Sequence, residues 1–149
     1  MLDEAEARRL ALIPKRATSA LVWEPRQNHS GHLFAFTQVE DQRGAVIPGM
    51  TVHLEVRSAV VATACLYLFT LFKLVDGKRR RAYQLEVAPV EKRTHNGPDG
   101  PLFGPHEHFG ELVALQVQDP SVRCGEWPAC FEFFAARCSL TAGPVSAPC

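Results

Sequence analysis

The chain has 149 residues, 46% of them hydrophobic, and 16 basic side chains balance 16 acidic ones. A chain of this length buries roughly two-thirds of its unfolded surface in one domain, and so apolar a composition excludes a disordered protein. Zero net charge excludes a protein that coats nucleic acid through bulk positive potential, but leaves room for a local basic patch.

Asp3 to Leu12 reads as an amphipathic helix. Asp3 is placed to cap it, Glu6 holds the capping-box position, and Ala7, Leu10 and Ala11 line one side before Pro14 stops it. Ala20 to Trp23 is the first strand candidate, closed by Glu24-Pro25. Leu33 to Val39 is the second, apolar on both faces and so expected in the middle of a sheet. Asp41 to Gly44 makes a turn. In Met50 to Arg57, Val52, Leu54 and Val56 alternate with His53, Glu55 and Arg57, the period of a half-buried strand. Ala64 to Val75 and Arg81 to Val87 form a hairpin across Asp76-Gly77, with Tyr83, Leu85 and Val87 inward. Leu112 to Val117 adds a strand, and Trp127 to Cys138 a helix with Pro128 in its first turn. The expected architecture is α+β: one antiparallel sheet of five to seven strands with an N-terminal and a C-terminal helix. Residues 1–140 form the single domain, and 141–149 are expected to fray.

The N-terminus is acidic and lacks an apolar signal region, and the run Ala59 to Leu74 is interrupted by Thr63, Thr70 and Lys73. No membrane partner and a cytoplasmic location are therefore expected. Cys65, Cys124, Cys130, Cys138 and Cys149 are odd in number with no CxxC spacing, so reduced thiols are the default. Cys124–Cys138 and Cys130–Cys149 are the alternative bridges.

Chemistry concentrates in Thr94 to Glu111, where His95, His106 and His108 stand among glycines and prolines that exclude a regular helix. A stiff, turn-rich loop is expected there, the usual seat of a site. If His106-Glu107-His108 is extended, both imidazoles project to one side and Glu107 to the other. Such a pair can serve as general base and general acid in phosphodiester transfer. In that scheme His106 and His108 move protons, His95 positions, Arg79, Arg80 and Arg81 attract phosphate, and Tyr83 or Trp23 stacks a base. No cofactor is needed. The metal alternative places a divalent transition metal on His95, His106 and His108, with Asp99 or Glu111 as carboxylate. The spacing approaches the cupin signature, but Glu111 falls too early and no histidine follows His108. The structural alternative makes Asn96 to Gly100 a turn, His106 and His108 the cover of a sheet face, and Lys78 to Arg81 a solvated hairpin end.

His95, Asn96, Pro98, Asp99, Gly100, Gly104, Pro105, His106 and His108 resemble a motif of small uncharacterised bacterial proteins. In that family a His-Asn-Pro-Asp-Gly turn precedes Gly-Pro-His-x-His. Gly97 is inserted relative to the pattern and Glu107 replaces an apolar residue. The resemblance brings no activity. It implies an accessory bacterial gene product, such as a toxin–antitoxin or phage-related module. The leading expectation is a small RNA-directed protein of toxin-like ribonuclease type. A non-catalytic binder of a cognate protein partner and a metal-dependent enzyme are the alternatives.

Overall fold

The computed structural model describes residues 1–27, 31–57, 64–97 and 100–148, and of 94–97 only the backbone. His29 and Asp99 lie outside the described residues. In chain order the elements are α1 (Glu4–Leu12), β1 (Lys15–Ala17), β2 (Glu24–Pro25), β3 (His32–Glu40), β4 (Val46–Arg57), β5 (Leu66–Val75) and β6 (Lys78–Val87). There follow β7 (Arg93–Gly97), β8 (Gly100–Phe103), β9 (His106–Phe109), β10 (Val113–Gln116), α2 (Trp127–Arg137) and β11 (Leu140–Thr141).

The local signals resolve as the residue chemistry dictates. The Glu6 N–H donates to Asp3 Oδ1 at 2.8 Å, satisfying one orphan donor of α1, while the Glu6 carboxylate pairs with Arg9 at 2.7 Å. Asp76 and Gly77 both take positive φ, 52° and 77°, as a two-residue turn between right-twisted strands requires. The Ala20–Trp23 strand is not formed, and pairing begins only at Glu24.

The expected five-to-seven-stranded antiparallel sheet is corrected to a nine-stranded mixed one. Its order is β10-β9-β6-β5-β4-β3-β1-β11, with β2 also on β3. β1 and β11 pair in parallel through Lys15–Leu140 and Arg16–Thr141, and every other pair is antiparallel. Three-residue and two-residue strands carry no readable alternation, which is why these edges escape a periodicity argument. The expected His-rich loop is also largely strand. β7 and β8 make a separate hairpin, and β9 inserts between β6 and β10. Pro101 stands near the start of β8 and Pro105 just before β9, where a missing N–H costs little. Thr141 lies in β11, and beyond it the Trp23 indole N–H donates to the Ser146 carbonyl at 2.9 Å.

Both helices pack on one face. Phe69, fully buried on β5, meets Trp127 at 5.2 Å and Phe134 at 5.6 Å between ring centroids. The Arg8 guanidinium of α1 lies 3.8 Å over the Phe109 ring. Gly110, at φ 72°, lets the chain before α1 approach so closely that a Cβ there would stand 2.6 Å from the Leu2 carbonyl. Beneath α2, the buried Glu107 carboxylate accepts from the Tyr83 hydroxyl at 3.1 Å and from Arg137 Nε at 2.9 Å.

Cys65 and Cys124 form a disulfide with Cα atoms 6.2 Å apart, correcting the expectation of reduced thiols. Cys130 and Cys138 are free and buried, so neither alternative bridge forms. A pairing across 59 residues is a property of the fold, which brings the start of β5 beside the segment before α2, and not of cysteine spacing. Among the described residues, no helix is long and apolar enough to cross a membrane.

Candidate functional site

Among the described residues, no helix lies on the second sheet face. Registers across the strands place its side chains in rows. One runs Phe36, His53, Thr70, Gln84, His108. Its neighbour runs Phe34, Glu55, Leu68, Glu86, His106. On β3 to β6 this face holds a cavity of about 540 Å³, whose lining includes Arg26, Phe34, Phe36, His53, Glu55, Phe72, Arg79 and Gln84. Phe36 is 55% exposed, a costly place for an aromatic ring unless something covers it.

His53 is the centre of this surface. Its ring centroid lies 5.8 Å from that of Phe36 and 4.9 Å from that of Phe72. Its Nε2 stands 3.4 Å from Arg79 Nη1 and 3.2 Å from Thr51 Oγ1. A guanidinium only donates, so Nε2 accepts and the neutral ring carries its proton on Nδ1. Burial, reinforced by Arg79, holds the imidazole below its ordinary value, against a smaller opposing pull from Glu55. The ring is therefore neutral at pH 7 and acts as part of an aromatic row.

Two arginines flank the row. The Arg79 guanidinium lies 5.3 Å from the Phe72 centroid, and among the described residues no carboxylate pairs with it. Arg26 lies 5.1 Å from the Phe34 centroid and pairs with Glu55 Oε1 at 3.2 Å. His32 Nε2 bonds the same Glu55 oxygen at 2.8 Å, which fixes the carboxylate from below. On β6, Gln84 Nε2 donates to Thr70 Oγ1 at 2.9 Å while its Oε1 accepts from Arg81 Nη1 at 3.0 Å.

The residues singled out in sequence are placed as follows. His106 and His108 do share one side of β9, their ring centroids 4.8 Å apart, with Glu107 on the other. They are only 1% and 5% exposed. His106 lies 3.6 Å from Glu86 Oε2 and 3.3 Å from the Gly104 carbonyl. His108 shares a row with His53 but is three strands away, about 14 Å at ordinary strand spacing. The His95 backbone pairs with Leu102 in the β7–β8 hairpin, and its side chain is not described. Of the basic run, only Arg79 lines the cavity. Arg80 faces Glu111 at 3.7 Å, and Arg81 donates to the Gly110 carbonyl at 3.1 Å. Tyr83 is fully buried on the opposite face, where burial and the Glu107 carboxylate push its hydroxyl far above the usual range. Among the described residues, no three His, Cys, Asp or Glu side chains converge as a metal-ligand set.

Sequence reasoning missed Phe36, Phe72 and Arg26 as site residues, and placed His53 on the solvent face of its strand or on a second functional face. A signal was present. β3 is apolar on both faces, and only one face can meet the helices. Comparison of the chain with protein-family models, curated proteins and solved structures gives no match.

Proposed function

We propose that the chain binds a short stretch of single-stranded RNA on the open sheet face. The observation that carries this reading is the run of touching rings Phe36–His53–Phe72, with Arg79 over Phe72 and Arg26 over the neighbouring Phe34. Aromatic rings exposed on a sheet accept stacked bases, and each base so stacked contributes about 1–3 kcal/mol. Arginines beside the rings supply the phosphate contacts. A surface of mixed sign elsewhere, at zero net charge, fits a local interaction and not a general coating of nucleic acid.

Binding, and not cleavage, is the reading the burial of His106 and His108 favours. A general acid must come within hydrogen-bond reach of the proton it moves, and both rings are enclosed in the sheet. The RNA-directed expectation is thus kept, with its centre moved from β9 to β3, β4 and β5. The test is fluorescence anisotropy with labelled single-stranded oligoribonucleotides. Saturable binding that Phe36→Ala weakens about tenfold, within the range of one lost stack, supports the reading. Binding that is absent, or indifferent to both Phe36→Ala and Arg79→Gln, leaves the face to a protein partner instead.

A further inference from the structure

We propose that Glu55 selects the base that stacks on this face, favouring one that presents an exocyclic amino group. The assignment deepens the RNA reading and rests on it. Glu55 is the carboxylate of the cavity lining, and its side chain is about 20% exposed. Oε1 is taken by His32 Nε2 at 2.8 Å and Arg26 Nη2 at 3.2 Å. Oε2 has no hydrogen-bond partner among the described residues. The carboxylate is therefore fixed by one oxygen and offers the other as an acceptor.

Register places Glu55 directly across from Phe34 and diagonal to Phe36, the most exposed ring of the row. A base stacked on Phe36 brings its hydrogen-bonding edge within reach of a diagonal cross-strand neighbour. An ionised carboxylate only accepts. Cytosine meets it with its N4 amino group, the pairing expected of a glutamate. Uracil turns carbonyl oxygens on either side of its single N–H toward the same charge, and each repels it. Adenine and guanine also carry amino donors but stack more strongly, so the two pyrimidines isolate the hydrogen bond from the stack.

The experiment compares oligocytidine, oligouridine and oligo-N4,N4-dimethylcytidine of equal length, by anisotropy, on the full chain and on Glu55→Gln. The expected result is oligocytidine bound at least about fivefold more tightly than oligouridine, the lower end of one good base contact. Dimethylation, which removes the donor without touching the protein, abolishes that preference. Glu55→Gln, whose amide both donates and accepts, narrows it to less than about twofold. Equal affinity of the wild-type chain for oligocytidine and oligouridine overturns the assignment but leaves the RNA platform standing. So does a preference that survives both dimethylation and Glu55→Gln. Failure of all three oligomers to bind overturns the platform and this assignment together.

Discussion

The Lys15 ammonium donates to the carbonyl of Cys138, 123 residues away in sequence, at the end of α2. The same nitrogen also shares its three N–H groups with the carbonyls of Leu10 at 3.1 Å, Ala11 at 3.2 Å and Ile13 at 2.6 Å, at the end of α1. Lys15 is only 3% exposed. One buried cation thus serves the negative ends of both helices, where positive charge is favoured and the last carbonyls lack partners. Lys15→Met keeps the stem but strands these acceptors. A loss of about 2–4 kcal/mol is expected in urea denaturation, a large part of the roughly 5–15 kcal/mol such a domain has.

Alkaline titration should show two opposed effects. Burial lowers Lys15 from 10.5 to about 8, so the unfolded chain binds more protons than the folded one above pH 8, and stability rises with pH there. Burial raises Cys130 from 9.0 to about 11 and Cys138 to about 12. Their folded thiols keep protons that the unfolded chain releases, so stability falls as pH passes 9 and continues upward. The urea midpoint is expected to rise slightly from pH 8 to 9, then fall. Lys15→Met removes the rise, and the Cys130→Ala, Cys138→Ala double variant lessens the fall between pH 9 and 10, above which buried Tyr83, also raised, adds its own loss. A midpoint that drops from pH 8 onward in the wild type contradicts this account of Lys15.

Salt dependence separates phosphate contacts from stacking. On single strands each neutralised phosphate contributes a slope of about 0.7 in log affinity against log salt. Arg79→Gln should lower the slope by that amount. Phe36→Ala should weaken binding at every salt concentration and leave the slope unchanged.

His106 and His108 are expected to matter for stability and not for affinity. His106→Ala opens a cavity at a buried position and strips the partly exposed Glu86 of its neighbour. A loss of about 2–4 kcal/mol follows from comparable buried truncations. RNA affinity, read in conditions where the variant is folded, should stay within about twofold. A large affinity loss without a stability loss would return the site to β9.

The Cys65–Cys124 bond closes a loop of 59 residues, which by chain entropy stabilises the fold by about 4 kcal/mol. The Cys65→Ser, Cys124→Ser double variant, or added reductant, should lower the denaturation midpoint accordingly. RNA affinity should not change, because the bond ties β5 to the segment before α2, beside the Tyr67–Gly125 contact and away from the open face. Disulfides persist in oxidising compartments, so the size of this effect bears directly on where the chain can work.

Much of the architecture was legible because its causes are local. Asp3 capping, the Asp76-Gly77 turn and the inward set Tyr83, Leu85 and Val87 each depend on residues within a few positions of one another. The same-side placement of His106 and His108 followed from strand alternation alone. Their exposure did not, because it depends on what lies beside β9.

The alternation in β3, β4 and β5 determined that the sheet has two faces and which side chains share each. It could not determine which face the helices cover, since Phe34, Phe36 and Phe72 are as apolar as the residues beneath α2. That choice belongs to contacts far apart in the chain: Phe69 with Trp127 and Phe134, Lys15 with the ends of both helices, and β1 with β11. Once those long-range contacts fix the helices on one side, the other side is left open. The row Phe36–His53–Phe72, with Arg26 and Arg79 at its rim, becomes a surface that can take a ligand.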